Sequence, residues 1–168
     1  MKKTALIYSF NTINTAKAAK MIHEAFGDFP IDEINAETLT KDSFVPYENL
    51  ILGVPTWFDG ELPNYWDEFV PELEEMDLTG KKAAIFGLGD QKEYPENFCD
   101  GVGIMAKILI ERGAELAGET QSEEYAYIHS LALYKGRFYG LLLDEENQSS
   151  LSNDRIKDWV KELKKAFI

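Results

Sequence analysis

Short apolar runs alternate along the chain with longer segments in which apolar side chains recur every three or four residues. A strand buried on both faces reads as a continuous apolar run, and an amphipathic helix as a period of 3.6. The alternation therefore predicts βαβ units around a parallel sheet. Residues 4–8 are the first predicted strand. From about 14 to 26, Ala18, Ala19, Ile22 and Phe26 share one helical face, and Gly27 follows where a helix should stop. Residues 31–34, 50–54 and 82–87 are predicted as further strands, with Pro55 ending the middle one. A helix from about 98 to 112 closes at Gly113, a short strand follows near 115–117, and residues 138–143 give more strand material. The last predicted helix runs from about 152 to 167, starts on a Ser or Asn cap and buries Ile156, Val160 and Leu163. Between residues 118 and 137, Tyr125, Tyr127, Leu131, Leu133 and Tyr134 are too apolar for a free loop, which predicts an ordered insertion on the sheet edge.

In an open α/β sheet of this kind a ligand sits beyond the carboxyl ends of the strands. Three loops lie there. The first, Ser9, Phe10, Asn11, Thr12, Ile13, Asn14 and Thr15, is rich in hydroxyl and amide groups at a helix start. Free backbone N–H groups and the positive end of the helix dipole suit a phosphate; plain capping by Thr12 or Asn14 explains the loop equally well. The second loop is Pro55, Thr56, Trp57, Phe58, Asp59 and Gly60. Two large aromatics in a turn expose apolar surface unless a flat ligand covers them or they fold back onto the core. The third contains Gly87, Leu88, Gly89 and Asp90, then Tyr94, Asn97, Phe98 and Cys99. Its glycines are read as allowing the backbone to approach a ligand. Taken together, the loops describe a site for a phosphorylated planar ring. Neither a Walker A sequence nor G-x-G-x-x-G is present.

Composition narrows the class. With 168 residues, 45% of them hydrophobic, the chain is expected to form a single domain over residues 1–168 with a full core. The formal net charge of −13 disfavours nucleic acid and anionic membrane as partners. One cysteine and two histidines give neither an internal disulfide nor a His/Cys metal framework. With no signal-peptide pattern and no span-length apolar stretch, a cytoplasmic location and a monomer are expected. His23 and His129 lack partners at a spacing that suggests a triad, and Ser9 lacks a nucleophile-elbow context.

The segments Pro55-Thr56-Trp57, Gly60-Glu61-Leu62, Gly87-Leu88-Gly89-Asp90-Gln91, Tyr94, Phe98-Cys99-Asp100 and Leu143-Asp144-Glu145-Glu146-Asn147-Gln148 resemble the long-chain flavodoxins over essentially the whole chain. The resemblance implies an α/β, flavodoxin-like three-layer sandwich. Its five-stranded parallel sheet has the order 2-1-3-4-5, with an insertion in the last strand. It implies one noncovalent FMN, with its ring between Trp57 and Tyr94 and its phosphate on residues 9–15. On the same grounds Thr12, Asn14 and Thr15 bind phosphate, the Asp90 and Cys99 backbones face the pyrimidine edge, and Glu146 lies near the ribityl chain. The Cys99 thiol is read as unreactive. The function implied is that of a low-potential one-electron carrier rather than an enzyme. Its partners would be flavin- or iron-sulfur-containing redox proteins of the ferredoxin/flavodoxin reductase type, with basic docking surfaces. The alternative is an FMN-dependent NAD(P)H:quinone reductase on the same fold, although no second nucleotide loop is visible.

Three features depart from or colour that pattern. The family loop usually reads Thr-x-Thr-Gly-x-Thr, whereas this chain has Phe10 at the first hydroxyl position and Ile13 where glycine is usual. A β-branched residue resists positive φ, so Ile13→Gly is expected to tighten FMN binding unless the loop takes another path. By resemblance, the Phe58 carbonyl belongs to a peptide that turns on reduction, and Asp59 follows it in place of a more permissive glycine. Between Lys41 and Lys81 there is no Lys or Arg, yet Asp59, Glu61, Asp67, Glu68, Glu72, Glu74, Glu75 and Asp77 all fall there. Each carboxylate ~10 Å from the ring would cost the reduced anion roughly 0.4–1.7 kcal/mol, which favours a strong reductant. The same run also reads as a solvated helix face.

Overall fold

The structure is a computed structural model that describes residues 2–168. Five parallel strands build the central sheet in the order β2-β1-β3-β4-β5: β1 Thr4–Tyr8, β2 Ile31–Asn35, β3 Asn49–Gly53, β4 Lys82–Leu88 and β5 Glu115–Leu116. The last position is split. The seven-residue β4 pairs with β5 through Lys82–Glu115 and Ala83–Leu116, and its far half pairs with another short strand through Phe86–Leu141 and Leu88–Leu143. Between them lies a small antiparallel sheet of β6 Thr120–Gln121, β7 Leu133–Tyr134 and β8 Arg137–Phe138, and the second half of the edge strand is β9 Leu141–Leu143. The insertion expected from its apolar residues is thus an ordered element inside the last strand.

Alternation along the strands divides the core in two. Ala5, Ile7, Leu50, Leu52, Ala83 and Ile85 face one side, where α2 Asn64–Asp67, α3 Val70–Leu73 and α4 Asp100–Glu111 pack with Trp66, Leu73, Met105 and Leu109. Leu6, Ile51, Ala84 and Phe86 face the other, against α1 Asn14–Phe26 and α5 Glu145–Ala166. Helix α1 buries Ala18, Ala19, Ile22 and Phe26, and Gly27 closes it at φ 61°, as the pattern predicted. Among the described residues no helix is long and apolar enough to cross a membrane.

Three expectations need correction. Helix α5 begins at Glu145 rather than near residue 152; its cap is Asp144, whose side chain accepts from the Asn147 N–H, and the helix is interrupted at Gln148. Residues 138–143 do not form one strand. Phe138 pairs antiparallel with Thr120 and Leu133, and the chain then switches sheets through Gly140, where a Cβ would lie 2.0 Å from the Ile85 carbonyl oxygen. Helix α4 starts at Asp100, because Cys99 before it is left-handed (φ 52°, ψ 34°). The two four-residue helices α2 and α3 were not among the predicted elements, although Tyr65, Trp66, Phe69, Val70 and Leu73 recur at helical spacing.

Candidate functional site

The carboxyl ends of β1, β3 and β4 open into one cleft of about 930 Å³, lined by residues 11–15, 55–58, 88–90, 93–94, 97–99, 145 and 146. Its size is that of a small-molecule site. At one end, α1 follows Ile13 at its cap position, whose own side chain cannot cap it, and has no acid in its first turn. The Ala16 N–H is taken by the Thr12 hydroxyl at 3.1 Å and the Lys17 N–H by the Ile13 carbonyl at 3.0 Å. The N–H groups of Ile13, Asn14 and Thr15 have no partner among the described residues, nor do the Asn14 and Thr15 side chains. Unsatisfied donors at the positive end of a 13-residue helix are groups that an anion could engage. Capping by Thr12 is observed, since its hydroxyl donates to the Ser9 carbonyl while accepting from the Ala16 N–H, and it leaves the N–H groups of residues 13–15 open.

At the other end the walls are aromatic. Residues 57–61 form a tight loop closed by reciprocal bonds, Trp57 N–H to Glu61 O at 2.9 Å and Glu61 N–H to Trp57 O at 2.8 Å. Trp57 is only half-buried, steadied edge-on by Tyr65 at 5.8 Å and by Phe58 at 6.4 Å. Phe58 is 67% exposed and Tyr94 52% exposed, so neither belongs to the core. The Tyr65 hydroxyl is buried without a partner, and burial first, then the Glu37 charge, raises its pKa well above the ordinary value. The Asp59 carbonyl accepts from Asn97 Nδ2 at 3.1 Å, whereas the Phe58 carbonyl and the Asp59 N–H have no partner among the described residues.

The loop after β4 is braced from behind. Asp144 is fully buried and accepts from the Gln91 N–H at 3.0 Å, Gln91 Nε2 at 2.7 Å, the Asn147 N–H at 3.0 Å and Asn147 Nδ2 at 2.9 Å. Gln91 Oε1 in turn accepts from the Ala126 N–H, and Phe98 stacks on Tyr127 at 5.6 Å, so the insertion supports this loop without lining the cleft. Burial opposes ionisation of Asp90. The Glu93 N–H, the Asn147 amide and the Lys92 N–H outweigh it, leaving its pKa below the ordinary 3.8. Burial, followed by the charges of Asp144 and Asp100, pushes the Cys99 thiol far up, so it is not a thiolate.

Residues 6–159 match the family model described as flavodoxin. The chain belongs to the flavodoxin family. It is 39% identical to a flavodoxin from Nostoc sp. over 166 residues, covering 99% of this chain and 98% of the relative. It is 38% identical to flavodoxin 1 from Escherichia coli K12, covering 97% and 93%. The crystal structure of Fusobacterium nucleatum flavodoxin bound to flavin mononucleotide superposes with a TM-score of 0.95 at 34% identity, covering all of both chains.

Of the residues expected at the flavodoxin site, Asn11, Thr12, Ile13, Asn14, Thr15, Pro55, Thr56, Trp57, Phe58, Leu88, Gly89, Asp90, Tyr94, Asn97, Phe98, Cys99 and Glu146 share the cleft. Ser9, Phe10, Asp59, Gly60 and Gly87 do not line it. Ser9 is buried and its hydroxyl donates to Glu37 at 2.6 Å; Phe10 turns onto the Tyr8 ring, 5.0 Å away. Gly87, near the end of β4, and Gly89, just after it, also have another reason than ligand approach. A Cβ at Gly87 would lie 2.3 Å from Val102 Cγ2, and one at Gly89 would lie 2.7 Å from the Cys99 Sγ, so both admit protein packing. Ile13 is not strained either: φ is −93° and ψ −66°, and its side chain is 85% exposed. The loop does take another path than one needing positive φ there. Sequence reasoning missed Glu93 and Glu145, which add to Asp90 and Glu146 as acids on the wall; no Lys or Arg stands among the lining residues.

Proposed function

We propose that this protein binds one FMN noncovalently in the cleft and carries single electrons at low potential between redox proteins. The observation that supports this most is the meeting of two chemistries in one cleft: three unpartnered N–H groups at the start of α1, and the half-exposed rings of Trp57 and Tyr94. Such a donor set fits a phosphate attached to a flat ring. FMN, once bound, supplies a ring that gains and loses electrons one at a time.

The chain's own part is to hold and tune that ring. Ile13, Asn14 and Thr15 would bind the phosphate by dipoles alone, without a cationic side chain. Trp57 and Tyr94 would cover the ring faces and exclude water from them. The 58–59 peptide is unpartnered at both its carbonyl and its N–H, so it is the one unit of the loop free to turn a carbonyl toward the cleft. Asp90, Glu93, Glu145 and Glu146 would oppose added negative charge and so lower the potential. With a net charge of −13, the surface favours partners whose docking faces are basic, of the ferredoxin/flavodoxin reductase type.

The test is the visible spectrum of freshly purified protein, or of apoprotein after addition of FMN, followed by stepwise reduction with coulometry. Stoichiometric uptake and two separate one-electron steps are expected. Protein that stays colourless with excess FMN refutes the cofactor. Rapid oxidation of NADPH without an added reductase refutes the carrier in favour of a quinone reductase.

A further inference from the structure

We infer that Glu37, which stands outside the cleft, is a positioning residue for the phosphate loop, clamping residues 9–11 so that the N–H groups of residues 13–15 stay presented to the anion. The inference rests on the cofactor reading above. Glu37 lies in the turn after β2, whose own geometry is fixed by Asn35: the Asn35 Oδ1 accepts from the Glu37 N–H at 3.2 Å and from the Phe10 N–H at 3.3 Å. Both carboxylate oxygens are then used on the neighbouring loop. Oε1 accepts from the Ser9 hydroxyl at 2.6 Å and Oε2 from the Asn11 Nδ2 at 2.7 Å. The restraint continues inward, because the Asn11 N–H donates to the Ser9 Oγ at 3.3 Å, and Thr12 links the Ser9 carbonyl to the Ala16 N–H. One carboxylate thus reaches the first turn of α1 through Ser9 and Thr12.

The clamp answers a need particular to this chain. With Phe10 turned onto Tyr8 and Ile13 exposed, two positions of the loop contribute no donor side chain and no glycine latitude. Ordering a loop residue costs conformational entropy, so whatever is ordered beforehand is not charged against ligand binding. The Ser9 and Asn11 hydrogen bonds also hold the Glu37 carboxyl below its ordinary range, so it is a charged acceptor at neutral pH. That charge has a second, opposite effect, since it repels a phosphate dianion. Glutamine separates the two: it can accept from Ser9 with Oε1 and donate from Nε2 to a flipped Asn11 amide, keeping the bridge without the charge.

The experiment titrates apoprotein with FMN and with riboflavin, which has the ring but no phosphate, following flavin fluorescence. Glu37→Ala is expected to weaken FMN about tenfold while riboflavin changes less than about twofold. Ser9→Ala, which removes one arm of the clamp without touching the cleft wall, should give a smaller FMN-selective loss, about threefold, and decides the matter should Glu37→Ala not fold. Glu37→Gln should bind FMN at least as tightly as wild type. The clamp is overturned if folded Glu37→Ala and Ser9→Ala leave FMN unchanged or weaken both flavins alike, or if Glu37→Gln is as weak as alanine. Wild-type protein that takes up neither flavin overturns the cofactor reading, and the clamp with it.

Discussion

At the aromatic end of the cleft the loop after β4 is anchored through buried groups, whereas at the other end, proposed to take the anion, the loop before α1 hangs on a short series of bonds that ends on an exposed carboxylate. Asp144, fully buried, gathers four donors from Gln91 and Asn147, and the insertion adds the Phe98–Tyr127 stack and the Ala126 bond behind it. At the other end Glu37 is exposed, and the groups that would meet a ligand are unpartnered N–H donors. The difference teaches where each property resides. Changes behind the ring end should cost the fold, and changes at the anion end should cost affinity for one part of the ligand.

The largest expected effect follows from that contrast. Asp144→Ala leaves the two buried donors of Gln91 and the part-buried Asn147 N–H without an acceptor, while Asn147 Nδ2 keeps Asp90 Oδ1, and should destabilise the apoprotein by about 3–5 kcal/mol, seen as a lower urea midpoint at unchanged slope. Glu37→Ala should unfold close to wild type. If the two variants unfold alike, the ends are not anchored differently. Next come the walls. Trp57→Ala and Tyr94→Ala each remove a stacking surface worth about 1–3 kcal/mol, so FMN and riboflavin should weaken together, by roughly 5- to 150-fold. An FMN-selective loss from either would move that side chain to the phosphate side. A third change acts on potential rather than affinity. Asp59→Gly frees the 58–59 peptide, and each tenfold stabilisation of the one-electron-reduced state should raise the first potential and lower the second by about 60 mV apiece, widening the gap between them by roughly 120 mV. An unchanged gap would remove that peptide from the redox chemistry.

The elements that make the sheet were legible because they are buried on both faces: residues 50–54 and 82–87 can be little other than central strands, and α1 shows its apolar stripe directly. The first turns of α5 were not legible. Glu145 to Ser150 carry no apolar period, since that stretch borders the cleft, and the cap that starts it is an Asp whose role needs Gln91 and Asn147 folded around it. The same holds for Gly87 and Gly89, whose reason lies in Val102, Phe98 and Cys99, distant in sequence. The cleft residues were found as loops at strand ends, yet Glu37 was not, because nothing local marks a carboxylate whose partners are 26 and 28 residues away.

Ile13 carries the smallest expected effect and tests the comparison most finely. The family pattern has glycine there, and if the loop demanded positive φ, Ile13→Gly would relieve strain and tighten FMN. In this chain the residue sits at φ −93°, ψ −66° with its side chain in solvent, so there is no strain to release. Glycine would instead loosen the loop by roughly 0.5–1 kcal/mol, partly offset because glycine is tolerated better than isoleucine just before a helix. FMN affinity should therefore change by less than about threefold in either direction, measured by the same fluorescence titration. A tightening of tenfold or more would mean that residue 13 adopts positive φ once phosphate is bound. The anion end would then reorganise around its ligand, and the clamp from Glu37 would have to yield for it to do so.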